Sequence, residues 1–215
     1  ANLRQAMVYT LAVHVPIIGL ALLPVVFGLP LVLAPLHIAF LELVIDPACS
    51  IVFEAEDGAA DLMQQPPRGA DEPLLSARHV LLSILQGSVV TAAVVGLYAW
   101  LLSQPAHAAT ASTAAFVVLV AANAALILPS RSSQTRWRSL WAGLTPVSLW
   151  VAGGTLAALA AITTVPWLAN AFRFVPLSPL HWFMALLAGL LLTVVFAANK
   201  RWLQPTAPAL HPSPA

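Results

Sequence analysis

Apolar runs about as long as a bilayer is thick divide most of this chain, and that pattern limits what it can fold into. Marked off by their polar breaks, the runs fall at 5–27, 31–53, 79–103, 113–129, 140–162 and 180–199. A helix needs about 20 predominantly apolar residues to cross hydrocarbon. In lipid every backbone N–H and C=O must be bonded inside the protein, so single apolar runs of this length become helices. The expected fold is an all-α membrane protein: a bundle of six transmembrane helices, the first two broken by prolines. It occupies residues 1–203, with a Pro-rich, disordered tail at 204–215. Composition points the same way. With 60% hydrophobic and 8% charged residues in 215, a soluble globule could not wet its own surface. A net charge of +1 argues against nucleic-acid partners. The single cysteine, Cys49, excludes an internal disulfide framework and any multi-cysteine zinc site.

Six spans place both ends on one side. Arg4, Arg68, Arg78, Arg131, Arg136, Arg138, Lys200 and Arg201 all fall on that side and only Arg173 on the other, so the positive-inside rule makes the termini cytoplasmic. Trp100, Trp141, Trp167, Trp182 and Trp202 lie near span ends, where amphipathic rings prefer the headgroups. The opening Ala1-Asn2-Leu3-Arg4 runs straight into a full-length span and is not a signal peptide. The chain is expected to be a piece of something longer, in a bacterial plasma membrane.

Within this apolar background two acids stand out. Glu42 and Asp46 lie in the second run, four residues apart and so on one helix face. An ionised carboxylate at bilayer depth costs about 2.5–3.5 kcal/mol on insertion scales. Two on one face point to a face that meets protein or water and handles cations or protons. Asp46 is followed by Pro47, whose ring crowds the carbonyl four residues back and frees that of Leu43. Pro16 does the same to the carbonyl of Ala12, beside His14. Loose carbonyls next to acids are how transporters build cation sites, and oxygen-rich ligation suits hard cations or protons. Asp46 and Glu42 are therefore the candidate metal ligands, with His14 and Asn123 as further candidates and Pro47 and Pro16 as the helix-breaking residues at the site. Asn123 equally suits an interhelical hydrogen bond. His37 and Cys49 read as structural. The polar loop 54–78 carries six acids and the apolar pairs Leu62-Met63 and Leu74-Leu75, which suggests docking to something cytoplasmic.

These residues resemble the membrane region of P-type cation-transporting ATPases, closest to the calcium-pump-like branch. Asp46-Pro47 is followed by Asp61-Leu62-Met63-Gln64-Gln65-Pro66-Pro67-Arg68 and by Glu72-Pro73-Leu74-Leu75, resembling that family's D-x-M-x-x-P-P-R and E-P-L-[IL] segments. Gly28-Leu29-Pro30 resembles the turn between its fifth and sixth spans, and Arg131, Pro176-Leu177 and Trp182 fall in its later loops and last span. The resemblance implies that the chain corresponds to the fifth to tenth spans. It puts Asp46 on the family's most dependable ion-binding aspartate, and Glu42 and His14 on ligand positions that are Asn in calcium pumps. It puts Asn123 on an eighth-span position that is Glu in the sarcoplasmic-reticulum type. Asp61, Met63, Pro66, Pro67 and Arg68 become a cytoplasmic docking loop. Two ligand positions depart from the pattern: a fifth-span acid maps to Ile17 and a sixth-span Thr to Ile45.

The Asp-Lys-Thr-Gly, Thr-Gly-Glu and Gly-Asp-Gly-x-Asn-Asp motifs and the fourth-span Pro-Glu-Gly-x-Pro ligand segment do not occur in these 215 residues. The resemblance thus implies the ion-translocating part of a pump with no cofactor and no catalytic residue of its own. Its partners are the lipid bilayer, the transported cation, and the N-terminal spans and cytoplasmic ATPase domains of a parent that uses ATP and Mg2+. Read without the resemblance, the chain also suits a stand-alone six-span ion or proton carrier or a non-catalytic membrane scaffold.

Overall fold

The computed structural model describes residues 2–54, 75–131 and 145–203, apart from the side chains of residues 2, 45–50, 128–131, 193 and 197–203. The described residues form α1 (Asn2–Val26), α2 (Pro35–Glu54), α3 (Ala77–Ser103), α4 (Ala111–Arg131), α5 (Pro146–Thr164), α6 (Pro166–Phe172) and α7 (Pro179–Leu203). Six of these are the expected bundle. Five are long and apolar enough to cross a membrane, and α2 contributes the shorter apolar stretch Pro35–Val44.

The helices do not break at their prolines. Helical structure runs from Asn2 to Val26 through Pro16 and Pro24, and from Pro35 to Glu54 through position 47. A proline removes one ladder bond and displaces one carbonyl, and the neighbouring turns of a packed membrane helix hold the axis. Ala12, whose carbonyl Pro16 disturbs, is almost fully buried against α3. Gly87 of α3 faces that carbonyl so closely that a Cβ there would lie 2.6 Å from it. Gly19 meets Thr91 in the same way one turn on, its added Cβ falling 3.1 Å from Oγ1. Small residues that let backbones approach are the usual means of joining helices in lipid, and here they join α1 to α3.

α1 ends in a Schellman motif. Gly28 has φ of 67°, its N–H donates to Val25 O at 3.3 Å, and the Leu29 N–H donates to Pro24 O at 2.7 Å. Only glycine adopts that backbone freely. The second helix then starts at Pro35 and not at 31. Leu31, Val32 and Leu33 are apolar, but Ala34 precedes a proline and is held out of the helical region.

α4 is the central post. In its apolar stretch 78% of residues are buried, against 39% for α1 and α3, 28% for α5 and 24% for α7. A helix apolar on every side belongs in a bundle's interior. It packs chiefly on α7, where Gly189 lies against Ala121, and also on α3 and α1.

The end of the bundle where α1 finishes is sewn together by polar contacts. His37, 4% exposed, accepts the Ala34 N–H at Nδ1 (3.0 Å) and so donates from Nε2 to Phe172 O (2.7 Å). Its ring stacks on Phe172 and Phe174 with centroids 5.7 and 4.7 Å away. Tyr98 Oη donates to Pro30 O at 2.9 Å, and the Val175 N–H donates to Thr113 Oγ1 at 3.0 Å. The segment 163–179, expected as plain loop, contains α6. Pro166 opens that helix and Arg173, with φ of 57°, closes it.

Candidate cation site

Glu42 lies on α2 and His14 on α1, and the bundle brings them together. His14 Nε2 is 3.5 Å from Glu42 Oε1. The other imidazole nitrogen, Nδ1, lies 2.7 Å from the carbonyl oxygen of Thr10. A carbonyl only accepts, so Nδ1 carries a proton and donates it. In a neutral His14 that leaves Nε2 as a bare acceptor facing a carboxylate oxygen. Two acceptors aimed at one another repel unless a proton or a cation stands between them. Thr10, which fixes this orientation, carries no signal in the sequence, because its contribution is a backbone oxygen.

The pair is not enclosed. The His14 and Glu42 side chains are 35% and 39% exposed, so one flank of the site opens beyond the described part of the bundle. Asp46 lies one turn further along α2, and its side chain, with those of Pro47 and Cys49, is outside the described set. Pro16 sits inside α1, half a turn from His14. Asp61, Met63, Pro66, Pro67 and Arg68 fall outside the described residues. Among the described residues, no three of His, Cys, Asp and Glu group closely enough to hold a metal ion.

Asn123 sits apart from the pair. It is 2% exposed in the middle of α4, and neither Oδ1 nor Nδ2 has a hydrogen-bond partner among the described residues. Its backbone carbonyl accepts from Tyr9 Oη at 3.3 Å. The side chain lines a cavity of about 10 Å³ together with Tyr9, Phe40, Leu41, Val44 and Thr155. That volume admits about one water. Tyr9 and Thr155, from α1 and α5, are the residues of this cavity that sequence reading passed over. Neither stands out in its own helix, and only the packing turns them to Asn123.

A family model described as "Cation transporting ATPase, C-terminus" matches residues 30–202. The chain belongs to this family. Relatives of this cation-ATPase C-terminal chain include proteins called "Probable cation-transporting ATPase F" in Mycobacterium bovis and in Mycobacterium tuberculosis. Each is 26% identical over 201 residues, which is 92% of this chain and 22% of the relative. The chain thus spans about a fifth of the length of those proteins. Glu42, Asp46 and Asn123 lie inside the stretch matched by the family model, and His14 precedes it. Family membership and apolar helices together make this an integral membrane protein, the membrane part of a P-type cation ATPase.

Proposed function

We propose that this chain carries the ion path of a longer P-type ATPase and that the path runs past Glu42, Asp46 and His14. The observation that carries the reading is the 3.5 Å approach of Nε2 to Oε1 with Nδ1 already committed to Thr10. Two acceptors that far apart suit two ligands about 2.1 Å from one tetrahedral ion, or about 2.4 Å from one ion at right angles. Asp46 adds a second carboxylate from the same face of α2. The open flank is closed by protein outside this chain, in line with relatives four to five times its length. An unenclosed carboxylate would otherwise face lipid at a cost of several kcal/mol.

The parent uses ATP and Mg2+ in cytoplasmic domains beyond this chain. Phosphorylation there tilts α1, whose end near Arg4 lies on the cytoplasmic side, and opens the site to one face or the other. This is a two-state change biased by ion and phosphate. Both ends of the chain are cytoplasmic in this reading, and loop 54–78, with Asp61, Met63, Pro66, Pro67 and Arg68, docks on the cytoplasmic domains. Asn123 serves the path as a second polar station, its amide without a partner among the described residues and facing a water-sized cavity.

Ion-stimulated phosphorylation of the full-length ATPase tests the proposal. Asp46→Asn is expected to abolish it while leaving ATP binding intact. Wild-type ion dependence in that variant removes Asp46 from the path.

A further inference from the structure

His107 and His181 meet at the end of the bundle that also holds His37. Their ring centroids are 5.5 Å apart and their planes cross at 75°. They come from different parts of the chain, the turn between α3 and α4 and the first turn of α7. Both are partly exposed. Each is held from behind. The His107 N–H donates to Gln104 O at 2.9 Å, while its carbonyl accepts from Thr110 N at 3.0 Å and from Thr110 Oγ1 at 2.9 Å. His181 Nδ1 lies 2.8 Å from Ser178 Oγ. With Nδ1–H donating to that oxygen, Nε2 keeps its lone pair and points elsewhere. No hydrogen bond engages that nitrogen, or either ring nitrogen of His107, among the described residues.

We infer that these two imidazoles form a site for a borderline divalent transition ion of the zinc class, separate from the transport path. An imidazole nitrogen about 2.0–2.1 Å from zinc puts its ring centre about 3 Å from the ion, so two rings on one tetrahedral ion lie about 5 Å apart. The observed 5.5 Å is close to that separation. Ser178 supplies the outer hydrogen bond by which ligating histidines are normally oriented. Nitrogen donors select the ion class. The three segments at this end, 27–34, 104–110 and 165–178, contain no Asp or Glu, so nothing there favours calcium or magnesium. The bound ion, its remaining positions filled by water, ties the α3–α4 turn to the start of α7.

The test is zinc binding to the full-length ATPase purified without a histidine tag, in a His14→Ala, Glu42→Gln background that removes the transport pair. One zinc per chain is expected. His107→Ala and His181→Ala each weaken it at least ten-fold, whereas His79→Ala, at the far end of α3, leaves it unchanged. Should either alanine variant fold poorly, one equivalent of Cu2+ on the parent background reports directly, and its electron paramagnetic spectrum shows two imidazole nitrogens. Unchanged zinc affinity in both alanine variants, or a copper spectrum with no nitrogen coupling, overturns the inference.

Discussion

Single atoms decide the chemistry of the site. The Thr10 carbonyl fixes the proton of His14 on Nδ1, which leaves a neutral His14 with a bare Nε2 across the 3.5 Å gap from Glu42. Thr10 serves through its backbone, so Thr10→Ala is expected to leave ion affinity within two-fold of wild type. His14→Ala is expected to weaken it about ten-fold or more, read from the ion dependence of phosphorylation. Asn123 gives a sharper contrast between stability and function. Its amide is buried with no partner among the described residues, and an unmet buried polar group costs about 1–3 kcal/mol. Replacing it with an apolar residue removes the part of that cost that a water in the adjoining cavity leaves. Asn123→Leu is therefore expected to melt at or above the wild-type temperature in detergent while ion affinity falls. A lower melting temperature would show that the amide is satisfied in the folded protein.

At the level of elements, two joints hold the helices that carry the site. The first is Gly87 against the Ala12 carbonyl. Gly87→Val puts a branched side chain where even a Cβ would lie 2.6 Å from that oxygen, and overpacking of this kind costs about 1–3 kcal/mol. Gly153 on α5 has nothing within 4 Å of an added Cβ, so Gly153→Val is expected to leave stability nearly unchanged. Thermal unfolding of the two variants side by side checks the pairing. The second joint is His37, which ties the start of α2 to Phe172. His37→Ala leaves the Ala34 N–H and the Phe172 carbonyl without their partner and is expected to cost about 2–4 kcal/mol. Hydrogen exchange should quicken across 165–178 in that variant before it quickens in α4.

The helices themselves were legible in the sequence, because run length and polar breaks are set by bilayer thickness, and α1, α3, α4 and α7 begin and end within a few residues of the expected limits. The structure departs from the sequence pattern where a local rule meets packing. The apolar Leu31–Leu33 read as helix, yet Pro35 decides where α2 starts. Pro16 and Pro47 read as breaks, yet α1 and α2 run on as helix through both positions, α1 with α3 packed against it. α6 was hidden because seven residues opened by one proline resemble a loop. Glu42 could be singled out from its surroundings alone. Its pairing with His14 could not, since that depends on how two helices are rotated about their axes, which neither sequence states.

For the whole molecule, the described helices form a bundle of the cation-ATPase C-terminal family in which an acid and an imidazole meet on a half-open flank. Its orientation is testable independently of ion chemistry. With Cys49 replaced by serine, a cysteine at position 107 is expected to react with an impermeant thiol reagent from outside intact cells, and one at position 70 only after permeabilisation. The most direct test of the central claim is ion occlusion, the amount of transported cation trapped per phosphorylated full-length ATPase. Wild type is expected to trap it, and Glu42→Gln, which replaces one of the two facing acceptors with an amide able to donate to His14, is expected to trap less than a tenth as much. Full occlusion in Glu42→Gln at the wild-type ion concentration would contradict the account.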